Sequence, residues 1–132
     1  MRALAAAMPA DPAEELLAKV RADLAHVSEV MGAGVLVAIW KRPEKTAGGI
    51  YLSDKTREED VFQGKVGLIL KMGPLAFVED DRHKWNGRIP KVGDWVAYRI
   101  GDAWPLFIAD HPCRIVADVN VKMIVAKPDV IY

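Results

Sequence analysis

The chain has 132 residues, of which 52% are hydrophobic, so it can form one domain of ordinary size around an apolar core. Its 18 basic and 18 acidic residues cancel, and without a clustered basic face we expect no binding to nucleic acid. A single cysteine, Cys113, excludes an internal disulfide framework and most cysteine-based metal sites. No apolar run is long enough to span a bilayer, so we expect a soluble, cytoplasmic protein that does not bind membranes.

The first predicted element is an amphipathic helix that begins near Asp11. Asp11 suits the N-cap position, Pro12 suits the first helical position, and Glu14 can complete a capping box. Glycines at Gly32 and Gly34 predict the end of the helix. Apolar residues recur at spacings of three and four along one face; these are Leu16, Leu17, Val20, Leu24 and Val27.

The chain is predicted to consist of a helical extension, residues 1–33, and a mainly β domain, residues 34–132. In the second part, short runs of valine, isoleucine and aromatic residues are separated by glycine, proline and aspartate, which is typical of a small barrel or sandwich. Gly64 and Gly67 indicate a bulge or a tight bend. The predicted strands are residues 35–40, 61–72, 95–99, 106–109, 114–117 and 123–127.

A long polar connection, residues 42–63, interrupts the predicted strands. Its composition is too polar to bury, and connections of this length without secondary structure are usually functional or disordered. Inside it lies an exposed apolar triplet that directly follows two glycines. We therefore expect a partner outside the chain to bind this segment through Gly48, Gly49, Ile50, Tyr51 and Leu52.

Residues 73–93 form a second polar excursion, in which the Asn86-Gly87 pair is typical of a tight hairpin turn. Residues suited to catalysis are sparse along the whole chain. The three histidines, His26, His83 and His111, do not have the spacing of a metal site or of a nucleophile and its base. We therefore predict that the protein is not an enzyme and has no catalytic residues, metal site or cofactor.

The order of these features resembles the GroES, or chaperonin-10, co-chaperonin family, from about residue 30 to the C-terminus. The Lys-Thr-Ala-Gly-Gly-Ile-Tyr-Leu segment looks like the mobile loop of that family, and its Gly-Gly-Ile part is characteristic. The Val-Gly-Asp turn that ends at Asp94 is similar to the turn beyond the family's roof hairpin. The matching segments are residues 35–42, 45–52, 64–73 and 91–98.

The resemblance implies a GroES-like small irregular β-barrel, with a mobile loop at about 42–63 and a roof-type hairpin at about 73–93. Such subunits form a seven-membered ring that caps a GroEL-type chaperonin and assists protein folding. The apolar triplet of the loop would enter a groove on the apical domain of the chaperonin, with the two glycines providing backbone freedom. The resemblance also implies that residues 123–127 of one subunit pair with residues 35–40 of the next.

Two departures from the family pattern indicate a divergent member, of the kind that bacteriophages encode. The helical extension has no counterpart in ordinary bacterial co-chaperonins, and its apolar face must bury against the barrel or against a neighbour. Tyr51 replaces the small aliphatic residue that is usual at the middle of the triplet. A viral protein of this kind would act in the cytoplasm of its host.

Two other functions compete with the co-chaperonin hypothesis. One is a virion structural, decoration or assembly protein that reuses the fold, with the loop and the helix as fixed contacts between subunits. The other is a barrel enzyme or small-molecule binder, which includes the catalytic domain of zinc alcohol dehydrogenases. The dehydrogenase version is disfavoured because Cys113 alone cannot supply its zinc ligands.

Overall fold

The computed structural model describes residues 12–41 and 64–131, which form a mainly β structure with one α-helix. Each predicted strand has an observed counterpart with bounds that differ by a few residues, and residues 61–63 of the second predicted strand lie outside the described residues. No helix in the described part of the chain is long and apolar enough to cross a membrane. In chain order the elements are α1 (Pro12–Leu24), β1 (Gly34–Ile39), β2 (Val66–Met72), β3 (Trp95–Tyr98), β4 (Ala103–Ile108), β5 (His111–Ala117) and β6 (Val121–Val125), with short 3-10 turns at Ile100–Asp102, Asp118–Asn120 and Pro128–Val130.

The helix α1 is shorter than its apolar pattern predicts, because it ends at Leu24 and not near Gly32. The next backbone hydrogen bonds, including the one from Val27 N to Leu24 O at 3.0 Å, belong to a turn. Lys71 Nζ then donates to the Val27 carbonyl, which ties the end of the helical segment to β2. The predicted N-cap, Asp11, lies outside the described residues.

The six strands form a single antiparallel sheet in the order β4-β5-β1-β2-β3-β6. β1 therefore lies inside the sheet, with β5 on one side and β2 on the other. The expected pairing of β1 with the last strand of a neighbouring copy is wrong, because both edges of β1 are already occupied. Among the residues that the structure describes, β4 and β6 each pair with one strand only and so have a free edge.

A bulge or a tight bend was predicted at Gly64 and Gly67, and the bulge between β1 and β2 lies at a later residue of β2. Leu36 pairs with Lys71 and Val37 pairs with Ile69, so Leu70 is the extra residue. Gly67 has a different role, because a Cβ atom at this position would lie 2.7 Å from the side chain of Val37. Gly67 therefore allows the close approach of β1 and β2.

Both faces of the sheet are covered, and an apolar cluster lies on each. The helix covers one face, where Val20 is 1% exposed and packs with the buried residues of the strands. The apolar face of the helix is therefore buried against the sheet of the same chain. The helix-side cluster contains Leu36, Ala38, Leu68, Leu70, Trp95, Ala97, Ile108, Cys113 and Val125 among its members, and the opposite cluster contains Val35, Val37, Ile69, Phe77, Val96, Tyr98 and Val116.

Between β2 and β3, where every residue is described, the chain forms no strand, so the roof-type hairpin expected at about 73–93 has no ladder of paired strands. The Asn86-Gly87 turn itself is confirmed, since both residues have the positive φ angles, 55° and 72°, that a type I′ turn requires. The segment instead folds back over the sheet, where Phe77 is buried in the cluster opposite the helix. The buried carboxylate of Asp118 accepts a hydrogen bond from Phe77 N at 2.8 Å, so this contact takes the place of a ladder.

Candidate partner-binding surface

The segment that carries the predicted partner-binding residues leaves and rejoins the sheet at adjacent strands. β1 leads into it through Trp40 and Lys41, and β2 follows it from Gly64 onward. The two strands are antiparallel neighbours, so both ends of the segment lie at the same end of the sheet. The hydrogen bond from Trp40 N to Val66 O, at 2.9 Å, joins these two ends.

The predicted site residues Gly48, Gly49, Ile50, Tyr51 and Leu52 lie outside the described residues. The structure describes the base of the segment, which we define as residues 40, 41 and 64–66. The geometry of the candidate site is therefore the geometry of this base and of the strands that hold it.

Three successive carbonyl groups at the base are bound by residues of three different strands or strand ends. The Gly64 carbonyl accepts from Arg114 Nη1, in β5. The Lys65 carbonyl accepts from Tyr98 N at 3.0 Å, and the Val66 carbonyl accepts from Trp40 N. The point at which the segment rejoins the sheet is thus attached to β5, β3 and the end of β1.

Arg114 and Tyr98 are both buried beside this base. The Arg114 side chain is only 3% exposed, and its Nη1 donates to the Tyr98 hydroxyl at 3.2 Å. Its guanidinium carbon lies 5.7 Å from the centre of the Tyr98 ring, within the range of a cation–π contact. Burial raises the pKa of Tyr98 and outweighs the opposing effect of the Arg114 charge, so the hydroxyl stays protonated at neutral pH.

The other side of the base is supported by two tryptophans. Trp40 packs edge-on against Trp95 of β3, with ring centres 5.0 Å apart and planes at 72°. This edge-to-face arrangement is the favourable one for aromatic pairs. The end of β1 is therefore attached to β3 by a side-chain contact as well as to β2 by its backbone.

A second candidate surface lies at the free edges of the sheet. On β4, Trp104 and Phe107 are 64% and 63% exposed, and on β6, Met123 and Ile124 are 46% and 51% exposed. An unpaired strand edge with apolar side chains is a template for pairing with another chain. Pro105 in the middle of β4 lacks an N–H, so β6 is the less protected edge.

A groove of about 280 Å³ runs beside β6 on the face opposite the helix. One wall is the β6 strand, and the other is the segment that contains Phe77 and Trp85. Trp85 packs edge-on against Phe77 with ring centres 5.0 Å apart, so this wall is held by the buried cluster. The groove and the free edge of β6 form one continuous surface.

Two of the three histidines lie close to a carboxylate of the same chain. His83 lies 3.4 Å from Asp80, and His111 lies 3.0 Å from Asp23. Burial raises the pKa of Cys113 to about 11, which keeps the thiol protonated at neutral pH. Over residues 12–41 and 64–131, no three His, Cys, Asp or Glu side chains gather in a way that could hold a metal ion.

Sequence reasoning missed the role of Arg114, which it treated as the first residue of a short predicted strand. The available signal was a charged residue inside the apolar run Cys113-Arg114-Ile115-Val116. A charge at such a position is buried if the strand is covered on both faces, and a buried charge needs polar partners. Which partners it meets depends on the sheet order, which the sequence pattern does not specify.

No protein-family model matches the chain, and no curated protein matches it either. The support for a function therefore comes from the sequence pattern and from the contacts described above.

Proposed function

We propose that this protein is a divergent co-chaperonin of the GroES type, which forms a ring lid on a GroEL-type chaperonin in the cytoplasm. The observation that carries this proposal is the placement of residues 42–63 between β1 and β2. The adjacent ends of these strands are joined by the hydrogen bond from Trp40 N to Val66 O, at 2.9 Å. A long connection on a rigid scaffold is where binding residues are commonly found. This is the arrangement that a partner-binding loop with the observed sequence pattern requires.

A GroES-like barrel is part of the proposal. It is supported by an antiparallel sheet of six strands with apolar clusters on both faces. A further support is Arg114, which lies in β5 and reaches both Gly64 and the end of β3. Two strands lie between β5 and β3 in the sheet order. In a flat sheet they would keep β5 and β3 too far apart for these contacts, which therefore indicate a strongly curved sheet.

In this proposal the chaperonin apical domain binds Ile50, Tyr51 and Leu52, while Gly48 and Gly49 supply backbone freedom. In an extended or hairpin conformation Ile50 and Leu52 lie on the same side, because side chains alternate along a strand. Tyr51 then faces the other way. Each contact is weak if the segment orders on binding, and several copies in a ring restore affinity by factors of roughly 10² to 10⁴.

Ring formation is proposed to use the free edge of β6. Met123 and Ile124 are exposed there, next to unpaired backbone groups. A head-to-tail contact of this kind closes into a ring when the rotation per subunit is right. Since β1 has no free edge, the neighbouring subunit must supply a different element, and the number of seven subunits comes from the family resemblance.

The decisive experiment measures amide exchange over residues 42–63 in the purified protein, with and without a GroEL-type chaperonin and nucleotide. We expect protection of this segment only when the chaperonin is present. Equal protection in the protein's own assembly, together with no binding to the chaperonin, would overturn the proposal and favour a virion structural protein.

A pair of variants locates the contact within the segment. Ile50→Asp is expected to abolish chaperonin binding and to leave the ring intact, because it places a charge in an apolar groove. Ser53→Asp is the matched control, since it adds the same charge just after the triplet, and it is expected to retain binding. Loss of the ring in Ile50→Asp would show that the triplet is an internal packing element instead.

A further inference from the structure

Two charged side chains are buried among the residues that the structure describes, Arg114 and Asp118. Asp118 anchors the segment between β2 and β3 through Phe77 N. Arg114 instead reaches the base of the candidate partner-binding segment. Burial of a guanidinium carries a desolvation penalty unless its donors are hydrogen-bonded, so the groups that Arg114 binds are expected to explain its position.

The contacts of Arg114 lie at the point where the segment enters β2. It donates to the carbonyl of Gly64, the first described residue after the segment, and to the hydroxyl of Tyr98. Tyr98 also donates its own backbone N–H to the next carbonyl, that of Lys65, at 3.0 Å. The two residues therefore hold consecutive peptide groups at the point where the segment enters β2.

We propose that Arg114 is a positioning residue for the chaperonin contact, which it serves by holding the Gly64 carbonyl and so defining where the partner-binding segment rejoins the sheet. This inference rests on the proposed function. Tyr98 supports the role because its hydroxyl and its ring orient the guanidinium from one side.

The physical basis is the cost of ordering a connection when it binds. If the Gly64 carbonyl is released, residue 64 can move with the segment, so more backbone must be ordered at binding. An anchored base limits the conformations of the free segment, and such preorganisation increases affinity without a new contact. Arg114 would act in this way at a distance from the partner.

If Arg114 had a purely structural role, its replacement would change the stability of the sheet but not the affinity of the folded protein for the chaperonin. Methionine keeps the apolar stem and a similar volume, but it leaves the Gly64 carbonyl and the Tyr98 hydroxyl without this donor. We expect Arg114→Met to lose some stability, to keep the sheet and to lose the hydrogen bond to Gly64. Arg114→Lys should retain a donor at the same place, although without the planar fork of the guanidinium.

The test uses the full chain and three variants, Arg114→Met, Arg114→Lys and Tyr98→Phe. For Arg114→Met we expect amide exchange over residues 64–66 to accelerate and chaperonin affinity to fall, each by roughly tenfold, which is the scale of one hydrogen bond to a charged group. Exchange in β1 and β5 should stay unchanged. Arg114→Lys should be intermediate, and Tyr98→Phe should lie between the native chain and Arg114→Met, because the bond to Gly64 remains while the guanidinium loses one contact that orients it.

The outcomes separate this inference from the proposed function. If the native chain binds the chaperonin and folded Arg114→Met binds equally well, or shows unchanged exchange over residues 64–66, the positioning role is overturned and the proposed function stands. If the native chain does not bind, the proposed function fails and the positioning role fails with it. If Arg114→Met does not fold, Arg114→Lys is judged by the same two measurements, and native values in both overturn the inference.

Discussion

His111 Nε2 lies 3.0 Å from Asp23 Oδ2, and this contact joins the hairpin of β4 and β5 to a helix that is 88 residues earlier in the chain. Both side chains are partly buried. An ionised carboxylate can only accept, so Nε2 is the donor in this contact. It is a specific polar link between the helical extension and the sheet, added to the apolar packing of Val20.

We predict that His111→Ala lowers the free energy of unfolding by about 1 kcal/mol, the typical value of one hydrogen bond. Amide exchange in α1 should accelerate more than exchange in β2, because the helix loses an attachment. His83→Ala is the matched control, since the contact of His83 with Asp80 is local and exposed, and its effect should stay within about 0.5 kcal/mol. Equal effects of the two variants in urea unfolding would contradict a role for His111 in holding the helix.

A second prediction concerns Gly67, where β1 and β2 approach closely. Gly67→Ala places a Cβ atom 2.7 Å from Val37, so the strands must separate, and we expect a loss of about 1 to 3 kcal/mol. Gly101→Ala is the control, because nothing lies within 4 Å of a Cβ atom there, and it should change stability by less than about 0.5 kcal/mol. Denaturant unfolding of both variants measures the difference, and a neutral Gly67→Ala would refute the close approach.

The third prediction is a pH dependence caused by Cys113. Burial raises the pKa of Cys113 from an ordinary value of 9.0 to about 11, so the folded protein holds its proton more tightly than the unfolded chain does. The stability that this provides is complete below pH 9 and is lost as the pH rises to about 11. Compared with Cys113→Ala, the native protein should therefore lose more stability between these two pH values.

Cys113 is the only cysteine in the chain, so a thiol reagent reports on this position alone. Because the side chain is buried and protonated, we expect labelling at neutral pH to be limited by opening of the structure. Rapid labelling of the folded protein, or equal pH profiles for the native chain and Cys113→Ala, would contradict this account.

The fourth prediction tests the free edge of β6. Ile124→Lys places a charge on an exposed apolar residue next to unpaired backbone groups, which should weaken self-association while the fold is retained. Val92→Lys is the control, because Val92 is equally exposed, at 50%, but lies in the turn before β3. Sedimentation equilibrium should show a smaller assembly for Ile124→Lys alone, and an unchanged mass would exclude this edge as the subunit interface.

Local patterns predicted the secondary structure well where the physical cause is itself local. Short runs of valine, isoleucine and aromatic residues located β1 and β3 nearly to the residue, and Asn86-Gly87 predicted a turn that the positive φ angles confirm. The prediction failed where tertiary contacts compete with a local signal. The excursion after Gly73 has a hairpin turn but no strands, because Phe77 is buried in the opposite cluster and Asp118 binds its backbone N–H.

The candidate site also has one part that was predicted from the sequence and one part that was not. The apolar triplet at Ile50, Tyr51 and Leu52 was predicted from sequence because a short apolar run inside a polar segment is visible in the sequence itself, and it lies outside the described residues. Arg114 was not predicted, because its importance depends on which strands surround it. Two of its partners, Gly64 and Tyr98, are 50 and 16 residues away in the chain.

The sequence by itself determined the mainly β class and the start of the helix at Pro12, and it located the motif that we propose for partner binding, since these follow from composition and short-range spacing. Only the tertiary structure decided the order of the strands, which leaves β6 with a free edge, encloses β1 and brings Arg114 to the base of the segment. Several strand orders are equally compatible with the local sequence patterns of the strands. The observed order is decided by the packing of both faces at once, which no single stretch of sequence contains.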